Sequence, residues 1–128
     1  MTSVARKILI GVACAGLLLF LLVAGLLLVR TPMRTAKTQA VLFMYSMASS
    51  NYVAVYHRWP QSVADINTNA ASINWAVQGL PPSDAWGRSI IYEAFDPARG
   101  YGRALSYGRD GKSGGEGADA DIESRFGK

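Results

Sequence analysis

The sequence predicts an α+β protein with a membrane anchor, in which a single long helix comes first and a small antiparallel sheet comes last. A run without charged side chains extends from Ile8 to Val29. After it, apolar residues recur every three or four positions as far as residue 59, which is the period of a helix with one buried face. Short strand-like segments separated by turn residues then fill the region 89–126. A helix followed by a sheet of this kind is an α+β order.

The apolar run has the length and the flanks of an uncleaved membrane anchor. Twenty-two residues from Ile8 to Val29 make a helix of roughly 33 Å, and a bilayer core is about 30 Å thick. The run continues to Val29 and ends in Arg30, without the small-residue exit of a cleaved signal. We therefore predict a cytoplasmic stub over 1–7, a transmembrane helix over 8–30 and an ectodomain over 31–128.

The net charge of +4 comes from the flanks of the anchor. Residues 1–37 hold five cations and no acid, whereas the remaining residues hold eight cations against nine acids. The pI of 9.5 therefore does not describe a basic face on the folded part, and we expect no nucleic-acid partner. Cations flank both ends of the span, so that charge alone does not orient it.

The second half of the helix is predicted to be amphipathic. Pro32 follows the span and would kink the helix rather than end it. Pro60 is predicted to stop the helix at about residue 59. Residues 61–87 are expected to be irregular. The residues expected on the apolar stripe are Ala36, Ala40, Met44, Ala48, Tyr52, Val55 and Trp59.

The carboxyl-terminal part is predicted to hold a three-stranded sheet and a glycine-rich loop. The strands are expected at 89–95, 101–107 and 121–126, with turn chemistry over 96–100. Five glycines and three aspartates, Asp110, Asp119 and Asp121, lie between residues 108 and 121. Such a loop can be a solvated turn or a calcium site, because calcium takes several oxygens in an irregular geometry.

Few residues have the chemistry of a catalytic site. His57 is the single histidine, and Cys14, the single cysteine, lies inside the apolar run. Neither has a partner at a spacing that nucleophilic or metal catalysis needs. Gly111-Lys-Ser113 lacks the leading glycine and the following helix of a phosphate-binding loop. We predict that the protein is not an enzyme.

Several short motifs resemble the major pseudopilin of bacterial type II secretion. Asp84-Ala-Trp-Gly87 is similar to that family's Asp-Pro-Trp-Gly, and Ser106-Tyr-Gly-Arg-Asp-Gly111 is similar to its Ser-Leu-Gly-Ala-Asp-Gly. Gly114-Gly-Glu-Gly-Ala-Asp-Ala-Asp-Ile122 is close to its terminal signature. Trp59-Pro60 also resembles its aromatic–proline step after the long helix.

The resemblance implies a pilin-like fold, a structural role in a type II secretion or pilus-like machine, and a calcium-binding loop. The implied ligands are the side chains of Asp110, Asp119 and Asp121, with backbone carbonyls near Tyr107 and Lys112. It also implies a single-pass protein of the bacterial inner membrane whose carboxyl-terminal domain is periplasmic. The implied partners are other pseudopilins or secretion-machine components, and a second copy bound through the amino-terminal helix.

The apolar span departs from the family's pattern. Pilins and pseudopilins have a glycine followed by a Phe-Thr-Leu-Ile-Glu type of sequence, but Gly11 is followed by Val-Ala-Cys-Ala-Gly and the span has no glutamate. We therefore predict that the chain is not trimmed at Gly11. Two functions remain open: a filament-type structural component, or a membrane-anchored accessory or ligand-binding module outside any filament.

Overall fold

The structure, a computed structural model, describes residues 3–74 and 79–127. Residues 1–2 of the predicted stub, residues 75–78 of the predicted irregular region and residue 128 lie outside the described residues. The chain divides between Met33 and Arg34 into two compact units.

Helix α1 extends over Ser3–Tyr56 and includes Pro32, so that this proline does not end the helix. Among the described residues, α1 is the one helix that is long and apolar enough to cross a membrane. Its side chains between Ile8 and Val29 are exposed almost throughout. The first unit therefore fits a membrane anchor.

Helix α1 ends three residues before the predicted position of about residue 59. The amide of His57 still bonds to the carbonyl of Val53 at 2.8 Å, but His57 has a φ of 54°, which ends the helical path. Trp59 is thereby released from the helix and stacks on Phe95, with 5.0 Å between ring centroids. Trp59-Pro60 therefore lies after the helix, where Trp59 contacts the sheet, and does not form the last helical turn.

A second helix, α2, extends over Val63–Thr68, where we expected irregular structure. The Ser62 hydroxyl accepts from the amide of Asp65 at 3.3 Å, and the Asp65 carboxylate accepts from the amide of Gln61 at 2.8 Å. Ser62 is therefore the N-cap of α2, and the Asp65 carboxylate holds the residue before the cap. Ile66 is fully buried and fixes α2 to the core.

The sheet has three antiparallel strands in the order β1-β2-β3, which confirms the predicted α+β class. Their bounds are Ile91–Asp96, Tyr101–Ser106 and Ile122–Phe126. The amide of Gly100 donates a hydrogen bond of 2.8 Å to the carbonyl of Asp96 and closes the β1–β2 turn. Helix α1 and this sheet bury the core between them.

The buried face of α1 differs from the predicted stripe. Ala48 and Tyr52 are buried as expected, whereas Ala36, Ala40 and Val55 are exposed. The face of α1 that packs on the sheet includes small polar side chains as well as apolar ones. Its buried residues are Thr38, Val41, Leu42, Tyr45, Ser46, Ala48, Ser49 and Tyr52.

Buried hydroxyls of α1 face hydrogen-bonding partners outside the helix, except that of Tyr52, which has no partner among the described residues. Ser46 and Ser124 of β3 bring their hydroxyls to 2.6 Å, and Thr38 accepts from the amide of Ala85 at 3.1 Å. The hydroxyl of Tyr92 lies 3.3 Å from that of Ser49. Burial raises the pKa of Tyr92 to about 12. Since a buried polar group is costly only when it lacks a partner, these pairs explain why the helix can bury its serines.

Candidate functional site

The candidate site is the glycine loop, residues 108–121, which connects β2 to β3. Its glycines at 108, 111, 114, 115 and 117 all have positive φ, between 58° and 89°. The amide of Arg109 bonds to the carbonyl of Ala118 at 2.8 Å and closes the loop across its base. A Cβ on Gly108 would lie 2.7 Å from the carbonyl oxygen of Ala120, so that only glycine fits there.

The base of the glycine loop is tied to the turn 84–88 by a buried carboxylate. Asp84 is 6% exposed and accepts from the Ser106 hydroxyl at 2.7 Å. It also accepts from the amides of Trp86 and Arg88, at 2.9 and 3.0 Å. The Ser106 oxygen in turn accepts from the amide of Gly108 at 3.2 Å. The Asp-Ala-Trp-Gly motif therefore acts as a support for the loop.

Arg88 holds the glycine loop from the same turn. Its Nε and Nη2 donate to the carbonyl oxygen of Arg109 at 3.1 and 2.9 Å. A Cβ on Gly111 would lie 2.5 Å from Arg88 Nη1, so that the guanidinium fits closely against this glycine. Sequence reasoning missed this contact, because no local pattern joins residues 21 positions apart.

Asp119, the central predicted ligand, is engaged by Arg109. Arg109 Nε donates to Oδ1 and Nη2 to Oδ2, both at 2.8 Å. These hydrogen bonds lower the pKa of Asp119 and raise the pKa of Arg109. The carboxylate is thus held ionised and uses both of its oxygens in one bidentate pair.

The other two predicted carboxylate ligands bond to amides of the loop itself. Asp110 Oδ1 accepts from the amide of Lys112 at 3.0 Å, and Asp121 Oδ1 accepts from the amide of Gly114 at 3.0 Å. Both side chains belong to exposed residues. Tyr107, half-buried, follows the end of β2, and Lys112 is exposed in the middle of the loop.

The donor chemistry of the loop suits a hard cation, but its carboxylates are not gathered. Carboxylate and carbonyl oxygens are the ligands of calcium, which accepts an irregular geometry. Across residues 3–74 and 79–127, however, no three Asp, Glu, His or Cys side chains form a group that could hold a metal ion. Calcium binding by Asp110, Asp119 and Asp121 therefore stays a prediction.

A second charged cluster lies on the outer face of the sheet. Arg103 of β2 donates from Nε and Nη2 to Glu93 of β1, at 2.9 and 3.0 Å, and from Nη1 to Glu123 of β3, at 2.8 Å. Arg99 adds a bond to Glu93 at 2.7 Å. The two arginines, with Arg103 making the larger contribution, lower the pKa of Glu93 to about 2. These charges join all three strands.

A pocket of about 240 Å³ lies beside the second half of α1. It contains no titratable side chain among the residues that line it, which are Asn51, Ala54, Val55, Ser72, Ile73 and Asn74. General acid–base chemistry needs a titratable group at the reacting atoms. His57, the single histidine, is at the end of α1 and does not line this pocket.

Comparison with known proteins places the chain in a family. Neither the curated proteins nor the solved structures give a significant match. The family model described as type II secretion system, protein G, matches residues 31–125, which include the second half of α1, the sheet and the glycine loop. This match covers well over half of the 128 residues. The chain therefore belongs to the protein G family of the type II secretion system, the family of the major pseudopilins.

Proposed function

We propose that this protein is a structural, calcium-stabilised component of a type II secretion or pilus-like machine and that it carries out no catalysis. The observation that carries the proposal is the family match over residues 31–125, on a domain in which one helix packs on a three-stranded sheet. Its anchor, residues 8–30, lies in the bacterial inner membrane, and residues 31–128 face the periplasm. Its partners are other pseudopilins or secretion-machine components.

In this proposal, calcium stabilises the folded form of the glycine loop. The side chains of Asp110, Asp119 and Asp121, with carbonyls near Tyr107 and Lys112, hold one ion and connect the two ends of the glycine loop. Carboxylates brought together repel unless a cation lies among them. A ligand that binds only the folded form adds about 2.7 kcal/mol of stability at a hundredfold excess over its Kd.

The calcium part is tested by melting the full-length protein in detergent, in millimolar calcium and in chelator. We expect the wild type to melt several degrees higher in calcium. Asp119→Ala should abolish most of that difference, and magnesium should replace calcium poorly, since it needs near-ideal octahedral geometry.

The matched control is Glu116→Ala. Glu116 lies in the same loop, is exposed and makes no capping bond from its side chain. It should keep the full calcium effect. If calcium leaves the melting temperature of the wild type unchanged, the loop is a solvated turn, and the family assignment stands without the metal.

The orientation is tested by protease treatment of intact spheroplasts. The protease should degrade residues 31–128 and leave the anchor, because these residues face outward. A chain that is digested only after lysis would reverse the orientation.

A second function is favoured by one observation. The span from Ile8 to Val29 contains no acidic residue, so that the glutamate expected of a filament subunit is missing. A membrane-anchored accessory or ligand-binding module outside any filament is therefore the alternative.

Cysteine cross-linking distinguishes the two functions. Phe43, on α1, is 60% exposed. In a Cys14→Ser background, Phe43→Cys should give a ladder of self-linked species if the protein enters a filament. Links only to other proteins would favour the accessory module.

A further inference from the structure

We propose that Arg34 and Lys37 form a binding surface for anionic phospholipid headgroups, at the point where α1 leaves the membrane. The group that they bind is the phosphodiester of a membrane lipid. The inference goes beyond the proposed function: it rests on the membrane anchor, and it needs neither calcium nor entry into a filament.

The first step is the position of the two cations along α1. The apolar run ends at Val29, so that at about 1.5 Å per residue Arg34 lies roughly 7–8 Å and Lys37 roughly 12 Å beyond it. The headgroup layer is roughly 5–8 Å thick on each side of a bilayer. Side chains of a helix lean toward its amino-terminal end, which here is the end of the membrane span. Both cations can therefore reach the headgroup layer.

The second step is the side of α1 on which the cations lie. Arg34, Lys37, Val41 and Tyr45 follow one another at spacings of three, four and four, which place them on one side of a helix. Val41 and Tyr45 are buried in the core, whereas Arg34 and Lys37 are exposed. The two cations therefore continue the core-facing side of α1 toward the apolar run, beyond the part that the domain covers.

The third step is the lack of a counter-charge within the chain. No aspartate or glutamate precedes Asp65, so that neither cation has a carboxylate one turn away on α1. Across residues 3–74 and 79–127, no ion pair includes Arg34 or Lys37. The other arginines of the folded unit contact a carboxylate, a carbonyl oxygen or an aromatic ring: they are Arg58, Arg88, Arg99, Arg103, Arg109 and Arg125. The charges at 34 and 37 are thus open to a ligand from outside the chain.

The turn that packs beside these cations adds no free acid. The hydroxyl of Thr38, next to Lys37, accepts from an amide of the turn 84–88. The carboxylate of that turn, Asp84, is buried and hydrogen-bonded within the domain. The exposed charge of the turn is a cation, Arg88. The local charge is therefore complementary to phosphate, and the adjoining apolar anchor favours the phosphate of a lipid over a free one.

The test is electron paramagnetic resonance of the full-length protein in phosphatidylcholine vesicles with a trace of spin-labelled lipid, in chelator. The motionally restricted fraction measures how strongly each labelled lipid associates with the protein. A cation near an anionic lipid contributes about a factor of five. We therefore expect spin-labelled phosphatidylglycerol to associate about fivefold more strongly than spin-labelled phosphatidylcholine. At about 1 M salt, where the screening length is about 3 Å, this preference should largely disappear.

The deciding variant is Arg34→Ala/Lys37→Ala, in which Arg30 is kept because it marks the end of the span. Both positions are exposed and alanine favours a helix, so that the fold is kept. The preference should fall below about twofold. The exchange Arg34→Lys/Lys37→Arg keeps both charges and should keep the preference. Arg58→Ala/Arg125→Ala removes two charges elsewhere and should also keep it; an equal loss there would mean that net charge, not position, sets the preference.

The outcomes distinguish this inference from the proposed function. No preference in the wild type, or the same preference in the double-alanine variant, would overturn the lipid surface and leave the secretion-machine role in place. Loss of the preference on adding inorganic phosphate at constant ionic strength would show that the surface takes free phosphate instead of lipid. Failure of the protein to enter vesicles would contradict the anchor, and with it both this inference and the inner-membrane part of the proposed function.

Discussion

The outer face of the sheet and the glycine loop both carry arginine–carboxylate pairs, and they differ in what holds the partners in place. On the sheet, Arg103 pairs with carboxylates of both neighbouring strands, and Glu93 lies directly opposite it in the β1–β2 register. In the loop, Arg109 and Asp119 form a single pair between two points of an irregular backbone. Strand pairing holds the first set together even without the charges. The loop pair has no such support, and its arginine side chain is 57% exposed to solvent.

Two glycines show the same difference in steric terms. Gly102 of β2 has ordinary backbone angles but no room, because a Cβ there would lie 2.4 Å from the ring of Phe126. Gly114 of the loop has no atom within 4 Å of such a Cβ, yet its φ is 89°. Gly102 is therefore restricted by packing, whereas Gly114 is restricted by its backbone conformation.

The largest expected effect is that of Gly102→Ala. The added methyl group collides with Phe126 and with the backbone of Phe95, and overpacking of this kind costs about 2–3 kcal/mol. We expect the melting temperature of the full-length protein to be roughly 10 °C lower. Near-ultraviolet circular dichroism measures the unfolding. Phe126→Leu should relieve part of the loss in the double variant. A melting temperature within about 2 °C of the wild type would show that the sheet accommodates the added methyl group, and the contrast with Gly114 would be lost.

Gly114→Ala should be milder, because only the backbone opposes it. A residue with a Cβ at positive φ costs about 1 kcal/mol. Melting in chelator, which keeps calcium out of the comparison, should show a drop of a few degrees. Gly114→Asn should lose less, since asparagine tolerates positive φ better than alanine. A loss as large as that of Gly102→Ala would remove the distinction between the two regions.

Arg103→Ala should lower the free energy of unfolding by about 1 kcal/mol at neutral pH, as expected of a partly exposed network of ion pairs that joins three strands. The pKa of Glu93 is lowered to about 2 from its ordinary 4.5, so that its pairing stabilises the fold above about pH 4.5. That stability is lost as the pH falls toward 2. The difference in melting temperature between wild type and Arg103→Ala should therefore shrink over this range. A difference that is the same at pH 7 and pH 2 would exclude the network as its source.

The smallest expected effect is that of Arg109→Ala in chelator. The loop keeps the backbone bonds of residue 109 to Ala118 and Arg88, so that the melting temperature should change less than in Arg103→Ala. Parallel melts of the two variants measure this ordering. An equal or larger drop would mean that the loop pair holds the fold as firmly as the sheet pairs do.

The elements with a local signal could be predicted from the sequence. The long helix follows from its apolar period, and the β1–β2 turn follows from Asp96 and Gly100. Helix α2 was missed although Ser62-Val-Ala-Asp65 is a capping pattern, because serine and asparagine around it indicated a loop.

The features that depend on distant partners could not be predicted. Ser46 and Ser49 look like the polar side of the helix until Ser124 and Tyr92 provide their hydrogen-bonding partners. The contact of Arg88 with the loop needs the turn at residue 84 to be in place. The three aspartates were identified, but their present partners depend on how five glycines turn the backbone.

The long separation between the helix and its cover has a consequence for biosynthesis. Ser46 and Ser124, which meet at the helix–sheet contact, are 78 positions apart in the chain. At about 5–20 residues per second, the ribosome adds β3 roughly 4–16 s after this part of α1. Leu42, Tyr45 and Tyr52, which the finished domain buries, therefore emerge long before their cover exists. The nascent chain depends during this interval on whatever shields an apolar helix face in the cell, and the last strand to be made completes the fold.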